Sequence, residues 1–268
     1  MKTYFQYASV FSKIGFGAGF ITNLFLIYLT VFHVKKIVGT YKIMVISFAI
    51  MGIVSAGWDL VSKPFMHNYN KAMIYFSLGG GGSLQFFQFG IAFYAMMYMA
   101  VLSFITVQFF YRYLLLFQPK MAQKFDGNGI FWCLGYPIIP GMNADGTLRW
   151  KNMCFLTQGV AVIGLHYLTI IYLSLQMHFH MKLKLAEYSA TYRRLQKQFF
   201  RALVVQTAAP TLMLALPAGC AFLCPLISPI FGIHFSLQTG WLCAVFSLYP
   251  LIDSIAFMMI VTEYKKIV

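Results

Sequence analysis

Long apolar stretches follow one another along this chain, and most of them end at a short cluster of basic residues. A helix needs about 20 mostly apolar residues to cross the roughly 30 Å hydrocarbon core of a bilayer. Stretches of about that length with almost no charge occur at about 14–32, 43–62, 84–111, 153–181, 202–227 and 235–261. The pattern therefore predicts six clear membrane-spanning helices. A turn at Pro225, Ser228, Pro229 and Gly232 separates the last two.

A further apolar segment, 127–141, is short, because at 1.5 Å per residue it reaches only about 22 Å. Basic residues prefer the cytoplasmic side of a membrane, so their distribution indicates whether this segment crosses. If it does, 14 of the 20 Lys and Arg residues lie on one side. If it does not, the six between Lys182 and Arg201 change sides and the asymmetry is lost. The charges favour seven crossings, with an outer amino terminus and a cytoplasmic carboxyl terminus.

The predicted fold class is an all-α membrane protein, a seven-transmembrane helix bundle with an incomplete or unusual fourth helix, forming one domain over 1–268. Composition agrees, since 60% of the residues are hydrophobic and 10% are charged, against about 45–50% and 25% in soluble domains. The net charge of +14 does not indicate a nucleic-acid partner, because the charges are scarce and lie between apolar stretches. The partner that this pattern indicates is the lipid bilayer.

Titratable side chains are too scattered for a membrane enzyme, which needs a constellation of acids, histidines or nucleophiles. Only His178 and His180 form a close pair of histidines, at the end of the 153–181 span. We interpret them as an interfacial pair that meets water rather than as a metal site. We therefore expect no enzymatic activity, no metal and no cofactor.

Two acidic residues lie within predicted spans, where a carboxylate is costly unless it is paired or hydrated. Asp59 is four residues before Lys63, which favours an ion pair, although a role in substrate or ion binding stays open. Asp253 follows Tyr249 and Pro250, and a proline permits a kink. Asp253 therefore belongs either to a moving last helix or to a static polar contact. A small transporter or channel is an alternative class, but so few intramembrane charges disfavour it.

The cytoplasmic ends carry two candidate features. Tyr111, Arg112 and Tyr113 close the third span, either as an interfacial anchor or as a switch that changes its partner. The segment 178–201 is a basic cytoplasmic loop with one acid, Glu187, and interspersed apolar residues. Attraction to anionic inner-leaflet lipid and docking of a cytoplasmic protein are both compatible with it.

Several segments resemble the nematode Str-type seven-transmembrane chemoreceptors, a branch of the G-protein-coupled receptors. The segments that carry this resemblance are Asn23 with 26–30, 39–42, Lys63-Pro64 with His67, 110–113, 195–203 with Gln206 and Pro210, and 249–253 with Tyr264-Lys265. Together they cover most of the chain, in order, at the ends that the charges predict. Phe110-Tyr111-Arg112-Tyr113 looks like the family's version of the arginine motif that closes the third helix in many such receptors.

The resemblance implies a chemosensory, olfactory-type receptor in the plasma membrane of sensory neurons. It would bind a small odorant-like molecule and activate a heterotrimeric G protein. The residues that would couple or switch are Tyr111, Arg112, Tyr113, Leu195, Gln196, Gln198, Phe199, Phe200, Tyr249, Pro250 and Asp253. The candidates for the ligand pocket are Tyr94, Met97, Tyr98, Gln158, His166 and Tyr167, and for each of them plain helix packing is the alternative.

The chain departs from the family pattern around the fourth helix and the following outer loop. The helix begins near 132–141, and 145–150 looks like the end of the loop, so a deletion within 135–152 is a hypothesis. If it is correct, the chain is a shortened receptor that does not signal and stays in the endoplasmic reticulum. This is the second alternative to a signalling receptor.

Overall fold

The computed structural model describes residues 2–34, 39–70, 72–79, 82–124, 150–186, 188–212, 216, 235–237, 245 and 247–267. Its helices are α1 (Lys2–Tyr28, continued by a π-helical turn at Leu29–His33), α2 (Thr40–Ser62), α3 (Leu84–Phe117), α4 (Pro119–Lys124), α5 (Trp150–Lys184), α6 (Ala190–Pro210), α7 (Tyr249–Ile260) and α8 (Thr262–Lys265). Its strands are β1 (Pro64–Asn70), β2 (Ala72–Ser77) and β3 (Phe235–Leu237).

Four of the described helices are long and apolar enough to cross a membrane: Val10–His33, Thr40–Ser62, Leu84–Phe117 and Ala161–Met181. They overlap the first, second, third and fifth predicted spans. Large apolar side chains remain exposed on their outer faces, as on α5, where Leu165 and Leu168 are 62% and 66% exposed. A helix that is apolar on its inner and outer faces suits a lipid environment, because lipid replaces water as the solvent.

The predicted fourth crossing, 127–141, lies outside the described residues, as does most of the 135–152 region. Helix α4 is a six-residue helix that precedes it and is not that crossing. Helix α3 continues six residues beyond Tyr111 to Phe117, about 9 Å further than the hydropathy pattern indicates. The segment 178–201 consists of the last turns of α5, a short turn and the first turns of α6.

A small antiparallel sheet has the strand order β2-β1-β3, with β1 and β2 between α2 and α3 in chain order and β3 before α7. Strand β1 pairs with β2 along its length, as in His67 opposite Ile74, and with β3 at its end, as in Tyr69 opposite Ser236. The prediction that the last span begins at residue 235 was wrong, since 235–237 are in β3 and α7 begins at Tyr249. Absence of charge alone does not separate an apolar strand from an apolar helix.

Helix packing buries one hydrophobic core among α1, α2, α3, α5, α6 and α7. Phe104, Phe109 and Met177 are at most 1% exposed within it. Helix α8 is anchored by Tyr264, which is fully buried and hydrogen-bonded to Thr30 in the π-helical turn (2.7 Å between the two hydroxyl oxygens). The core therefore continues to the ends of α3, α6 and α8, where the candidate coupling residues lie.

Candidate functional site

Arg112 is buried near the end of α3 and is 3% exposed. Its guanidinium carbon lies 4.1 Å from the ring centre of Tyr41 in α2 and 4.5 Å from that of Phe199 in α6. A cation over an aromatic face is attracted by the quadrupole of the ring. We call Tyr41 and Phe199 the aromatic clamp. It joins three helices through one side chain.

One hydrogen bond supplements the clamp, from Arg112 Nη1 to Gln196 Oε1 at 3.4 Å. In the described part of the chain, Arg112 Nε has no hydrogen-bond partner. Burial of a charge is costly unless it is paired and hydrogen-bonded, and the contacts of Arg112 with Tyr41, Phe199 and Gln196 are all with uncharged groups. The guanidinium therefore keeps unused hydrogen-bonding capacity for an acceptor that reaches it.

The two tyrosines beside Arg112 have different surroundings. Tyr111 is buried, at 4% exposed. Tyr113 stacks on Phe117, with ring centres 4.6 Å apart. Phe117 in turn contacts His180 of α5 edge-on, with ring centres 5.9 Å apart. Of the predicted triplet, Arg112 is the member that the clamp holds.

Three glutamines of α6 bind three neighbouring helices. Gln196 accepts from Arg112 in α3. Gln198 Oε1 accepts from the backbone N–H (3.3 Å) and the hydroxyl (3.0 Å) of Thr262, at the start of α8. Gln206 Nε2 donates to Asp253 Oδ2 in α7 at 3.1 Å. These α6 amide contacts hold the helix without an ion pair. The other predicted coupling residues of α6, Leu195 and Phe200, are half-buried and pack against the core.

Asp253 is buried at 3% exposed, and its Oδ1 has no hydrogen-bond partner among the described residues. One residue further along α7, Ser254 donates to Asn23 Oδ1 of α1 at 2.7 Å. Asn23 Nδ2 donates to the carbonyl oxygens of Gly19 (2.7 Å) and Pro250 (3.3 Å). We call Asn23, Ser254, Asp253 and Gln206 the polar cluster. It connects α1, α6 and α7.

A small cavity adjoins the polar cluster. It is lined by Asn23, Phe48, Gly52, Ser55, Val101, Tyr249, Pro250 and Asp253. Gly52 lets α2 approach this point closely, because a Cβ atom there would lie 3.1 Å from the Pro250 Cβ and 3.3 Å from Asn23 Oδ1. The predicted last-helix residues Tyr249, Pro250 and Asp253 thus line one cavity.

Asp59 does not form the ion pair with Lys63 that the sequence favoured. It is buried at 4% exposed, and the group placed to hydrogen-bond its carboxylate is the Ser12 side chain of α1. The expected pair with Lys63 is not the contact that forms. Lys63 instead ends α2 in the left-handed conformation (φ 41°), with its side chain exposed. The i, i+4 rule assumes that both residues lie in the helix, and Lys63 does not.

The predicted ligand residues of α3 and α5 meet in two places. Tyr98 contacts the hydroxyl of Tyr167, which also lies 3.1 Å from Thr211 Oγ1 of α6. Ser103 is 3.0 Å from His166 Nε2. His166 Nδ1 is 2.8 Å from the Val162 carbonyl oxygen. Because a carbonyl only accepts, Nδ1 donates to it, and Nε2 faces the Ser103 hydroxyl.

The remaining ligand candidates are not brought to a described cavity. Tyr94 and Met97 are each 8% exposed and pack inside α3's buried face. The side chain of Gln158 lies outside the described residues. Residues 213–215, 217–234 and 238–244 are not among the described residues either. An outer cavity would need some of them to close it.

Sequence reasoning assigned no role to six residues that complete these contacts: Ser12, Tyr41, Ser103, Thr211, Ser254 and Thr262. Tyr41 stands in the 39–42 segment, next to a basic residue, which is also where an interfacial tyrosine is expected. Its ring contacts Arg112 only because α2 and α3 pack side by side. No spacing within one helix reports such a contact.

These features define the class of protein before the family, a polytopic helical membrane protein with a buried arginine near the end of its third helix. The chain is similar to squid rhodopsin, with a TM-score of 0.61 over 96% of this chain and 78% of that one. Sequence identity is 13%, so the likeness shows the fold alone.

The sequence profile described as "Serpentine type 7TM GPCR chemoreceptor Str" matches residues 8–144 and 142–268. The chain therefore belongs to this family of serpentine chemoreceptors, and the resemblance seen in its segments is confirmed. It is a multi-pass membrane protein with a rhodopsin-like fold.

Two curated relatives come from nematodes. G-protein coupled receptor str-33 of Caenorhabditis elegans is 26% identical, over 95% of this chain and 87% of that protein. Serpentine receptor class r-10 of Caenorhabditis briggsae is 24% identical, over 95% of this chain and 87% of that protein. The alignment with str-33 spans 306 positions, more than the 268 residues of this chain, so str-33 carries residues without a counterpart here.

Proposed function

We propose that this protein is a chemosensory receptor that binds a small molecule between its outer helix ends and activates a heterotrimeric G protein at its cytoplasmic end. The observation that carries the proposal is the aromatic clamp. It holds a buried guanidinium with uncharged groups and leaves one of its donors unused. Such a cation is stable where it is, yet it gains hydrogen bonds if an acceptor reaches it.

The switch follows from which helix supplies each contact. Phe199 and Gln196 both belong to α6, and only Tyr41 belongs to α2. One displacement of α6 therefore removes a ring face and the hydrogen bond from Arg112 together. The freed guanidinium then donates to carbonyl or carboxylate groups of the G protein, which gives charge-assisted hydrogen bonds.

The other α6 amide contacts transmit the change to α7 and α8. Gln198 holds Thr262, and this contact lengthens when α6 moves, whereas Gln206 stays bound to Asp253 and links the motion of α6 to α7. A ligand shifts the equilibrium between the two α6 positions only as far as it binds one of them more tightly. The Tyr98–Tyr167–Thr211 contacts join α3, α5 and α6, and this is where a ligand would act on all three.

The ligand is a small uncharged molecule. The six candidate side chains present aromatic rings, a thioether, an amide and an imidazole, and carry no permanent charge. Binding would exchange the Tyr98–Tyr167 contact for hydrogen bonds to the ligand. Tyr94, Met97 and Gln158 are placed in this proposal by their position on α3 and α5.

Basal nucleotide exchange tests the proposal without a known ligand. The purified protein in nanodiscs is mixed with a heterotrimeric G protein, and exchange of bound GDP is measured. We expect Arg112→Ala to abolish the receptor-dependent rate and Phe199→Ala to raise it, because the clamp opens while Arg112 stays. Phe179→Ala, which removes a phenylalanine of α5 that is 68% exposed, is the matched control. Wild-type exchange by the Arg112→Ala protein would contradict the proposed coupling.

A second proposal is a shortened receptor that does not signal. The family match breaks into two segments that meet at 142–144, inside the 135–152 region, and this supports it. Surface labelling in transfected cells separates the two proposals. A signalling receptor reaches the plasma membrane, as expected for a sensory neuron. A shortened form stays in the endoplasmic reticulum and reaches the surface once the relatives' extra residues are inserted.

A further inference from the structure

Helix α6 carries four basic side chains and no acidic one between Ala190 and Pro210. All four are exposed: Arg193, Arg194, Lys197 and Arg201. Three of the chain's five arginines are therefore concentrated in nine residues of one helix. Uncompensated charge of this density attracts an anionic partner.

The four basic residues lie on one face of α6. At 3.6 residues per turn their side chains fall within an arc of about 100°. Val204 and Val205 continue the same face along the helix, and Leu212 follows two residues beyond its end; the three side chains are 40%, 38% and 64% exposed. We call these seven residues the outer stripe of α6. Its first half is basic and its second half is apolar.

The opposite face of α6 is the one that packs into the bundle. It presents Gln196, Phe199 and Gln206, each at most 9% exposed. A protein that reaches Arg112 approaches this inner face. The outer stripe points away from it, which disfavours the G protein as the partner of the basic residues.

Depth along the helix indicates what the basic half meets. Val204 and Val205 lie in the predicted 202–227 span, where we expect exposed apolar side chains to face acyl chains, since apolar surface in a membrane protein is covered by lipid. At 1.5 Å per residue, Arg201 lies about 5 Å and Lys197 about 10 Å from Val204 toward the cytoplasmic end. That is headgroup depth, because the polar region of each leaflet is roughly 5–7 Å thick and Lys and Arg side chains are long.

We propose that the outer stripe of α6 is a binding site for a phospholipid of the cytoplasmic leaflet whose headgroup carries more than one phosphate. The three arginines match phosphate oxygens with paired N–H donors, which a lysine cannot do. The acyl chains of the same molecule lie along Val204, Val205 and Leu212. The site holds the outer face of α6 at the level where the inner face contacts Arg112.

The test uses purified full-length protein and dioctanoyl phosphatidylinositol 4,5-bisphosphate, with binding followed by native mass spectrometry. The variant changes Arg193, Arg194, Lys197 and Arg201 to Gln. We expect it to bind the lipid about tenfold more weakly or worse. The control changes four other exposed basic residues, Lys120, Lys184, Lys265 and Lys266, to Gln. We expect less than about a twofold change from it.

In a second variant Arg193, Arg194 and Arg201 are changed to Lys. This keeps the positive charges but removes the paired N–H donors of the guanidinium groups. We expect it to lose part of the affinity, because arginine pairs bidentately with phosphate. Since it alters no charge, it also keeps the test valid if the first variant fails to fold. Lipid binding by both variants at the wild-type level would overturn the proposal.

Two further arms separate the lipid from other anions. Free inositol 1,4,5-trisphosphate has the headgroup without acyl chains, and we expect it to bind more weakly than the lipid. Equal binding would mean a free-phosphate site and would overturn the lipid assignment. Lower G-protein activation by the four-Gln variant with unchanged lipid binding would instead make the stripe a protein-docking surface. Because lipid binding is measured without a G protein, the result does not depend on the proposed signalling function.

Discussion

Two buried ionisable side chains in this protein are held in different ways. Arg112, at the end of α3, lies against two rings that contact each other, with centres 4.4 Å apart, and makes one hydrogen bond of 3.4 Å. Asp253, deeper in α7, accepts from Gln206 at 3.1 Å beside Asn23, whose amide nitrogen binds two backbone carbonyl oxygens. The first site is held by side chains alone, whereas the second is tied to the main chain.

This difference indicates which of the two sites separates more easily when the helices move. A clamp made of ring faces tolerates sliding and separates without leaving a broken hydrogen bond on the rings. The polar cluster leaves unsatisfied buried groups when it is pulled apart, which costs free energy. We therefore interpret the polar cluster as the fixed point about which α6 and α7 move, and the aromatic clamp as the part that opens. The predictions that follow test this contrast.

The largest effect is expected from Asn23→Leu, which removes the centre of the polar cluster. The substitution deprives the Pro250 carbonyl oxygen and the Ser254 hydroxyl of their partner. We expect a loss of about 2–4 kcal/mol in the free energy of unfolding. Thermal melting of the detergent-solubilised protein measures it.

Thr22→Val is the matched control for Asn23. Thr22 hydrogen-bonds only within its own helix, to the Ala18 carbonyl oxygen, so we expect a change below about 0.5 kcal/mol. Equal melting temperatures for the Asn23→Leu variant and the wild type would show that the cluster does not hold α1 to α7.

A smaller effect is expected from Gly52→Ala, which adds a methyl group where α2 meets Pro250. The new Cβ would lie 3.1 Å from the Pro250 Cβ, and overpacking of this kind costs about 1–3 kcal/mol. Gly17→Ala is the control, since a Cβ there meets nothing within 4 Å. Melting temperatures of the two variants should separate. If both fall equally, close approach at Gly52 is not required.

Opening the aromatic clamp should affect stability less than activity. Tyr41→Leu removes one ring face from Arg112, which is worth about 0.5–2 kcal/mol, and Tyr41→Phe keeps the face. We expect Tyr41→Leu to raise basal nucleotide exchange with a small fall in melting temperature, and Tyr41→Phe to behave like the wild type. If basal exchange by the Leu variant is unchanged, Tyr41 does not restrain Arg112.

The smallest effect is expected from Gln198→Ala, which uncaps α8. Thr262 loses the acceptor for its backbone N–H and its hydroxyl, at a cost of about 0.5–1.5 kcal/mol. Hydrogen exchange at α8 measures it locally. Gln123→Ala, at an exposed glutamine of α4, is the control. If hydrogen exchange in α8 is the same in the Gln198→Ala variant and the wild type, Gln198 does not couple α6 to α8.

Four of the spanning helices were within reach of sequence reasoning, because lipid imposes one length and one polarity on every spanning helix. The boundaries were less accessible. Helix α3 extends to Phe117 and β3 occupies 235–237. In both places the chain stays apolar, so hydropathy does not show where the helix ends or that a strand is present. Arg112, Gln196 and Asp253 were predicted as coupling residues, but the contacts of Arg112 with Gln196 and of Asp253 with Gln206 were not. That role remains a prediction.

The amino-acid sequence by itself determined the membrane environment, the orientation that the charges favour, and the family, since these depend on composition and on local order along the chain. Tertiary structure alone decided the rest. It brought the rings of Tyr41 and Phe199, whose centres lie 4.4 Å apart, to the same side of the Arg112 guanidinium, and it gave Asp59 a neighbour in Ser12 instead of Lys63. Such contacts join residues that are far apart in sequence, and only the packing of ridges and grooves between helices sets which of them meet.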